Sequence, residues 1–165
     1  MRFPQPRLMG LLASVLAAGA LGLAFASEWW GGLVPCTLCL WERWPYRIAI
    51  GLGLLVAIAP RSLLRPTILL LVLTILAASV LAAVHTGVEF HWWPSPFPAC
   101  AAPKFAGATI AERLKSMPLM PAKPCDEPTY LIPFVPVSMA AMNFLFSLAF
   151  AGLVSLALRA KVQSR

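Results

Sequence analysis

Apolar residues in this chain gather into four long runs, separated by short basic segments and by one long, proline-rich polar stretch. Leu8 to Phe25 is the first run. The second is Ile48 to Ala59, lengthened backward through Trp44-Pro45-Tyr46; the third is Thr67 to Val84 and the fourth Leu131 to Leu158. A helix that crosses a bilayer needs about 20 predominantly apolar residues, because in hydrocarbon every backbone N–H and C=O must find its partner within the segment. The first and third runs have that length. The second is short and contains Gly51 and Gly53, so it needs its aromatic leading end. In the fourth, Pro133 and Pro136 hold regular helix back until after Val135. The pattern predicts an all-α membrane protein, a bundle of four transmembrane helices forming one domain over 1–165. The expected spans are 8–26, 44–60, 66–85 and 134–158, with loops over 27–43 and 86–133.

Composition excludes an ordinary soluble domain: 60% of residues are hydrophobic, 12% are charged, and the mean hydropathy is +0.81. The first run also has features of a cleaved signal peptide, with Arg2 and Arg7 at its start and Ala24-Phe25-Ala26 as a small-residue site. It is longer than a signal core, and its removal would leave three spans with the termini on opposite sides. We therefore read it as a span.

Charge then orients the bundle. Arg2, Arg7, Arg61, Arg65, Arg159, Lys161 and Arg165 fall on one face of the four-span arrangement, with no acid among them. All six acids fall on the other face beside six cations, so the formal net charge of +7 belongs to one side alone. The positive-inside rule makes that basic face, and both termini, cytoplasmic. The basic residues form no stripe with interleaved stacking aromatics, so a nucleic-acid partner is not expected despite a pI near 9.8. The long loop has one weakly helical stretch, Lys104 to Met117, where Phe105, Ala108, Leu114 and Met117 would share a face. It is read as a short interfacial helix.

The same topology puts all four cysteines on the extracytoplasmic side, where disulfides persist. Cys36 and Cys39 form a Cys-Thr-Leu-Cys pair at the end of the first loop; Cys100 and Cys125 lie in the second. A thiolate near a helix N-terminus and cationic side chains is stabilised, and Arg43 and Arg47 follow Cys39 at one and two helical turns. The Cys-x-x-Cys spacing also serves zinc. Zinc would need two further ligands, from Cys100, Cys125, His85 or His91, and the adopted reading has no metal. Two inert staples are the other alternative. That suits Cys100–Cys125, where closing the loop is worth roughly 3–4 kcal/mol in an entropy model, and suits Cys36–Cys39 poorly, because so short a loop gains little.

The stretch Pro35-Cys36-Thr37-Leu38-Cys39-Leu40-Trp41-Glu42-Arg43 resembles the active-site motif of the DsbB family of bacterial inner-membrane disulfide bond formation proteins. His85-Thr86 at the end of the third run, Trp93-Pro94-Ser95-Pro96-Phe97-Pro98-Ala99-Cys100 and the position of Cys125 extend the resemblance over the whole chain. It implies a multi-pass protein of the bacterial inner membrane, with periplasmic cysteines forming redox-active disulfides Cys36–Cys39 and Cys100–Cys125. It further implies a protein-disulfide oxidoreductase that reoxidises the periplasmic thioredoxin-fold oxidant DsbA and reduces ubiquinone, or menaquinone without oxygen. In that relay Cys100 meets DsbA, Cys125 exchanges with Cys36, and Cys39 faces the quinone, with Arg43 and His85 as quinone-site residues. A quinone is the fitting acceptor in the known DsbA–DsbB–quinone system. DsbA sits at about −120 mV, and recharging it from a disulfide at about −180 mV would run uphill by roughly 3 kcal/mol.

Overall fold

The computed structural model describes residues 6–100, 109–115, 123–132 and 134–163. It is all-helical among the described residues: α1 Pro6–Trp29, α2 Thr37–Ile58, α3 Leu64–Glu89, a 3₁₀ turn Pro98–Cys100, α4 Ile110–Lys115 and α5 Met139–Gln163. At 1.5 Å per residue the four long helices extend roughly 33–39 Å, enough to traverse a bilayer core of about 30 Å. Three of them, α1, α3 and α5, are long and apolar enough to cross a membrane. Glu42, Arg43 and Arg47 make the first half of α2 too polar to meet the same measure by composition.

Side-chain size determines how the helices meet. The face of α1 turned inward holds Gly10, Ala13, Ser14 and Ala17, and it lies against Ala49, Gly53 and Val56 of α2. The fit is close enough that a Cβ on Gly53 would stand 2.7 Å from the Gly10 carbonyl oxygen. Ser14 Oγ donates to the Ile50 carbonyl at 2.9 Å across the same seam. Large residues such as Leu12, Val15, Leu54, Leu70, Leu73 and Leu148 are exposed instead. Along the α1–α2 seam, small residues inside and leucine outside is the arrangement expected where lipid, not water, surrounds the helices, whereas Leu71, Ile75 and Phe150 fill the core shared by α3 and α5. α1 packs on α2, α2 on α3 and α3 on α5, whereas α1 and α5 scarcely meet.

Every tryptophan (Trp29, Trp30, Trp41, Trp44, Trp92 and Trp93) lies where α1 ends, α2 begins or α3 ends. This aromatic belt is the mark of a membrane–water interface. α3 closes there with a Schellman turn: Trp92 N–H donates to the Gly87 carbonyl and His91 N–H to that of Val88. His91 takes the left-handed conformation, φ 57°, that this turn requires. Trp93 folds back over Gly87, in the space a Cβ would fill, and its indole N–H reaches the Val84 carbonyl at 3.1 Å.

Helix α2 starts at Thr37 with Cys36 as its N-cap, so the cysteine pair stands at a helix N-terminus, as the spacing to Arg43 suggests, and regular helix begins before the apolar run. Pro45 is tolerated inside it. α5 starts at Met139, capped by Ser138, whose Oγ accepts from Ala141 N–H. Within the expected interfacial helix over 104–117, Ile110–Lys115 is helical, and Thr109 and Glu112 bond reciprocally to each other's backbone N–H groups as a capping box. Phe105, Ala108 and Met117 of that expected face lie outside the described residues.

The α1–α2 seam yields a paired test. Gly53→Ala should destabilise the protein in detergent by about 1–3 kcal/mol, because the added methyl overpacks the seam. Gly51→Ala, whose Cβ meets nothing within 4 Å, should be neutral or stabilising by up to about 1 kcal/mol. Thermal unfolding of both variants checks the order.

Candidate functional site

The site begins with an unusual helix cap. Cys36 is extended, φ −79° and ψ 172°, and occupies the N-cap of α2 where Ser, Thr, Asp or Asn is usual. Its sulfur accepts the Cys39 backbone N–H at 3.2 Å. The first turn then brings Cys39 Sγ to 2.7 Å from Cys36 Sγ, with both side chains unbonded to any other cysteine. His85 of α3 completes the cluster, its Nε2 3.5 Å from Cys36 Sγ. Cys36 is buried at 3% exposure, yet its thiol is held below the usual cysteine range. The hydrogen bond from the Cys39 thiol is the largest cause, with the Cys39 backbone N–H assisting, while burial and Glu42 oppose it.

A buried polar network fixes His85. Its Nδ1 lies 2.8 Å from Glu42 Oε1, and Asn143 of α5 donates from Nδ2 to Glu42 Oε2 at 2.7 Å. Tyr46 donates its hydroxyl to Asn143 Oδ1 at 2.5 Å. Glu89, one turn after His85, has Oε1 4.0 Å from His85 Nε2 and accepts a hydrogen bond from the Ser138 hydroxyl. Glu42 thus joins three helices at one carboxyl group. Cys36, Cys39, Arg43 and His85 are the site residues that the sequence motif points to; Glu42, Glu89, Tyr46 and Asn143 join them only in the folded chain. Glu42 lies inside the cysteine motif, and Glu89 stands one turn from His85, which are the only local signals; Asn143 gives none, being one polar residue in an apolar run.

Arg43 is buried on the other side of α2. Its Nη2 lies 2.8 Å from Glu28 Oε2 at the end of α1, and its guanidinium stacks 4.8 Å from the Phe25 ring centre. Arg47 stacks on Trp44 at 5.0 Å. Arg43, Cys39, Glu42, His85, Glu89 and Asn143 all border a cavity of about 570 Å³. Its remaining wall is largely apolar, from Val15, Leu16, Ala20 and Leu23 on α1 to Met142 and Phe146 on α5. The cavity therefore lies between the two long helices that scarcely touch.

The second pair is a disulfide, Cys100–Cys125. Cys100 ends the 3₁₀ turn after Pro98, and Cys125 N–H donates to its carbonyl at 3.2 Å. The surrounding prolines favour extended backbone in an exposed segment, yet both cysteines are buried, at 2% and 0% exposure. They share one buried cluster with Cys36, Leu38 and Val88, against which Cys39 and Phe97 pack. Thr37 Oγ1 donates to the Ala99 carbonyl at 3.3 Å, and Trp41 stacks on Phe97, so the loop is seated directly on the start of α2. His91 is in the Schellman turn and does not border the cavity.

Comparison with known proteins points the same way. The family profile described as disulfide bond formation protein DsbB matches residues 6–157. A protein of Rickettsia prowazekii described as uncharacterized protein RP370 is 28% identical over 155 residues, 90% of this chain and 87% of its own. The disulfide bond formation protein B of Salmonella typhimurium is 33% identical over 90 residues, 52% of this chain and 50% of its own, and that of Salmonella typhi matches equally. The chain is thus matched to only about half the length of each Salmonella protein. No solved structure matches.

The cap geometry makes a pH prediction for the reduced protein. Alkylation of Cys36 by iodoacetamide should rise with a midpoint below that of an ordinary cysteine. Cys39→Ala removes the principal hydrogen bond and leaves burial dominant, so the midpoint should move to higher pH. Residue-resolved mass spectrometry across a pH series reads both.

Proposed function

The chain belongs to the DsbB family of disulfide bond formation proteins, and from that premise we propose that it reoxidises a periplasmic dithiol oxidant of the DsbA type and passes the electrons to a membrane quinone. One observation carries this reading: Cys36, Cys100 and Cys125 share a single buried cluster, the neighbourhood that direct exchange between two cysteine pairs requires. Two independent staples have no need of it.

The exchange steps balance as follows. A thiolate of the reduced partner attacks Cys100 Sγ, forming a mixed disulfide and releasing Cys125 as thiolate. Cys125 attacks Cys36 Sγ of the oxidised first pair, and Cys39 leaves as thiolate. The partner's second thiol displaces Cys100, which oxidises the partner. Cys100 then attacks Cys125, which restores their disulfide and frees Cys36. Two electrons have passed from the partner to the Cys36–Cys39 pair. Because Cys100 is buried, the partner must first lift the loop from its seat on Trp41 and Thr37.

The cavity fits a quinone. Its volume lies within the range of small-molecule sites, roughly 300–1,000 Å³, and it combines apolar walls with a few convergent polar groups. When bound, ubiquinone or menaquinone supplies a sink for two electrons and two protons. Cys39 borders the cavity directly. Arg43, anchored by Glu28, offers a fixed cation and N–H donors toward developing negative charge at a carbonyl oxygen. His85 Nε2 takes the proton of the Cys36 thiol, while Nδ1 stays on Glu42 and the ring keeps its orientation. In the membrane, α2 completes a four-span bundle with α1, α3 and α5. Both termini are cytoplasmic, and the cysteines and the tryptophan belt face the periplasm, following the distribution of Lys and Arg.

Mixed-disulfide trapping tests the relay. With oxidised DsbA as the probe, the free Cys100 of Cys125→Ser should attack the partner's disulfide, release one partner thiol and hold DsbA as a mixed-disulfide band on an acid-quenched, non-reducing gel, and Cys100→Ser should hold none. Identical behaviour of the two variants would show an inert staple.

Quinone kinetics test the cavity. Arg43→Ala should raise the apparent KM for quinone roughly tenfold, equivalent to about 1.4 kcal/mol, and leave the trapping reaction intact. His85→Ala should slow quinone reduction more than His91→Ala does. An unchanged KM would remove Arg43 from the site.

A further inference from the structure

The group Cys36, Cys39 and His85 has a property that electron relay does not require. Their ligand atoms (two sulfurs and an imidazole nitrogen) all lie within 4.8 Å of one another. We propose that the reduced Cys36–Cys39 pair and His85 Nε2 form a redox-gated binding site for a zinc-class divalent cation, absent when the pair is a disulfide. This proposal does not depend on the quinone or on any partner.

Three observations support it. The donor set is two thiols and one imidazole, the borderline-soft combination that tetrahedral zinc takes. With bonds of roughly 2.3 Å to sulfur and 2.0–2.1 Å to nitrogen, sulfur and nitrogen ligands in a tetrahedron stand close to the observed 3.5 Å between Cys36 Sγ and His85 Nε2. The sulfur–sulfur separation, 2.7 Å, must widen, which a rotation of the Cys39 side chain would do, while Cys39 Sγ already lies within the same 4.8 Å of the imidazole nitrogen.

The third observation is His85's other nitrogen, held by Glu42 at 2.8 Å. A metal-binding histidine almost always donates its other ring N–H to a carboxylate, a backbone carbonyl or water, which fixes the tautomer and directs the free nitrogen at the ion; here a carboxylate fills that place. Glu42 is in turn fixed by Asn143, so Nε2 is already aimed at the sulfurs before any ion arrives. The fourth position is left to water or to Glu89, whose Oε1 stands 4.0 Å from Nε2.

Binding moves no electrons. Two sulfur–metal bonds and one nitrogen–metal bond form, and the thiol protons leave to solvent, so affinity rises with pH. Oxidation of the pair joins the two sulfurs to each other and removes both thiolates. The ion and the disulfide are therefore mutually exclusive, and a bound ion holds the pair reduced.

Full-length protein in detergent, fully reduced and freed of metal, tests this with cobalt(II) as the probe. One equivalent should bind, with thiolate-to-cobalt charge-transfer bands and the visible bands of a tetrahedral centre, and zinc(II) should displace it. Oxidised protein should give neither. Cys39→Ser should abolish the charge-transfer signal, and Glu42→Gln should weaken binding by roughly 10–100-fold through loss of the histidine's support. Because variants of a buried network can misfold, the wild-type chain supplies a second reading. Zinc should protect Cys36 and Cys39 from alkylation, and slow their oxidation by diamide, in peptides resolved by mass spectrometry. Equal cobalt spectra from oxidised and reduced protein would overturn the proposal. So would protection confined to Cys100 and Cys125, or a cobalt signal that survives Cys39→Ser.

Discussion

A carboxyl group buried among helices in a low-dielectric setting must have partners, and Glu42 organises this molecule around that requirement. Leaving such a group unsatisfied costs several kcal/mol, so its two hydrogen bonds, from Asn143 and with His85, act as constraints on three helices at once. α2 supplies the acid, α3 the histidine and α5 the amide. The rotation of each helix about its axis follows, since a turn of even one residue would remove a partner. The same bonds direct His85 Nε2 at Cys36, so the requirement that orders the bundle also poises the sulfur chemistry.

The apolar surroundings work in a complementary way. Lipid gives no hydrophobic incentive for leucines to face inward, and helix contact depends on small residues and close backbone approach. Gly10, Ser14 and Gly53 join α1 to α2 on these terms. Nothing equivalent joins α1 to α5, and the cavity occupies the space left between them. Polar groups converge at one end of that space because the Glu42 network and the Arg43–Glu28 pair are both anchored at the tryptophan-rich end of the bundle.

Much of this was legible in the chain. The apolar runs announced an all-helical membrane protein, and the Cys-Thr-Leu-Cys motif with Arg43 and His85 carried the family resemblance that the profile match shows. Composition did not mark where α2 begins, because its first turns are stabilised by a cysteine cap and internal polar bonds rather than by apolarity. Asn143 was invisible for a related reason: its partners Glu42 and Tyr46 lie about a hundred residues away, and no local period encodes such pairings. The burial of Cys100 was hidden too. Prolines fix the backbone of its loop but say nothing about what the loop sits on, and the seat is made by Trp41 and Thr37.

The sparse contact between α1 and α5, both of which line the cavity, bears on how a membrane-borne occupant would be supplied. An occupant arriving sideways between these helices comes from a two-dimensional solution, so its availability is set by copies per unit of membrane area and not by amount per volume of water. Affinity at such a site is properly expressed as a mole fraction of lipid. For the quinone proposed above, a long hydrocarbon tail would be able to remain in the bilayer with the head group beside Cys39. Exchange of such an occupant along that path would not by itself require the Glu42 network to part.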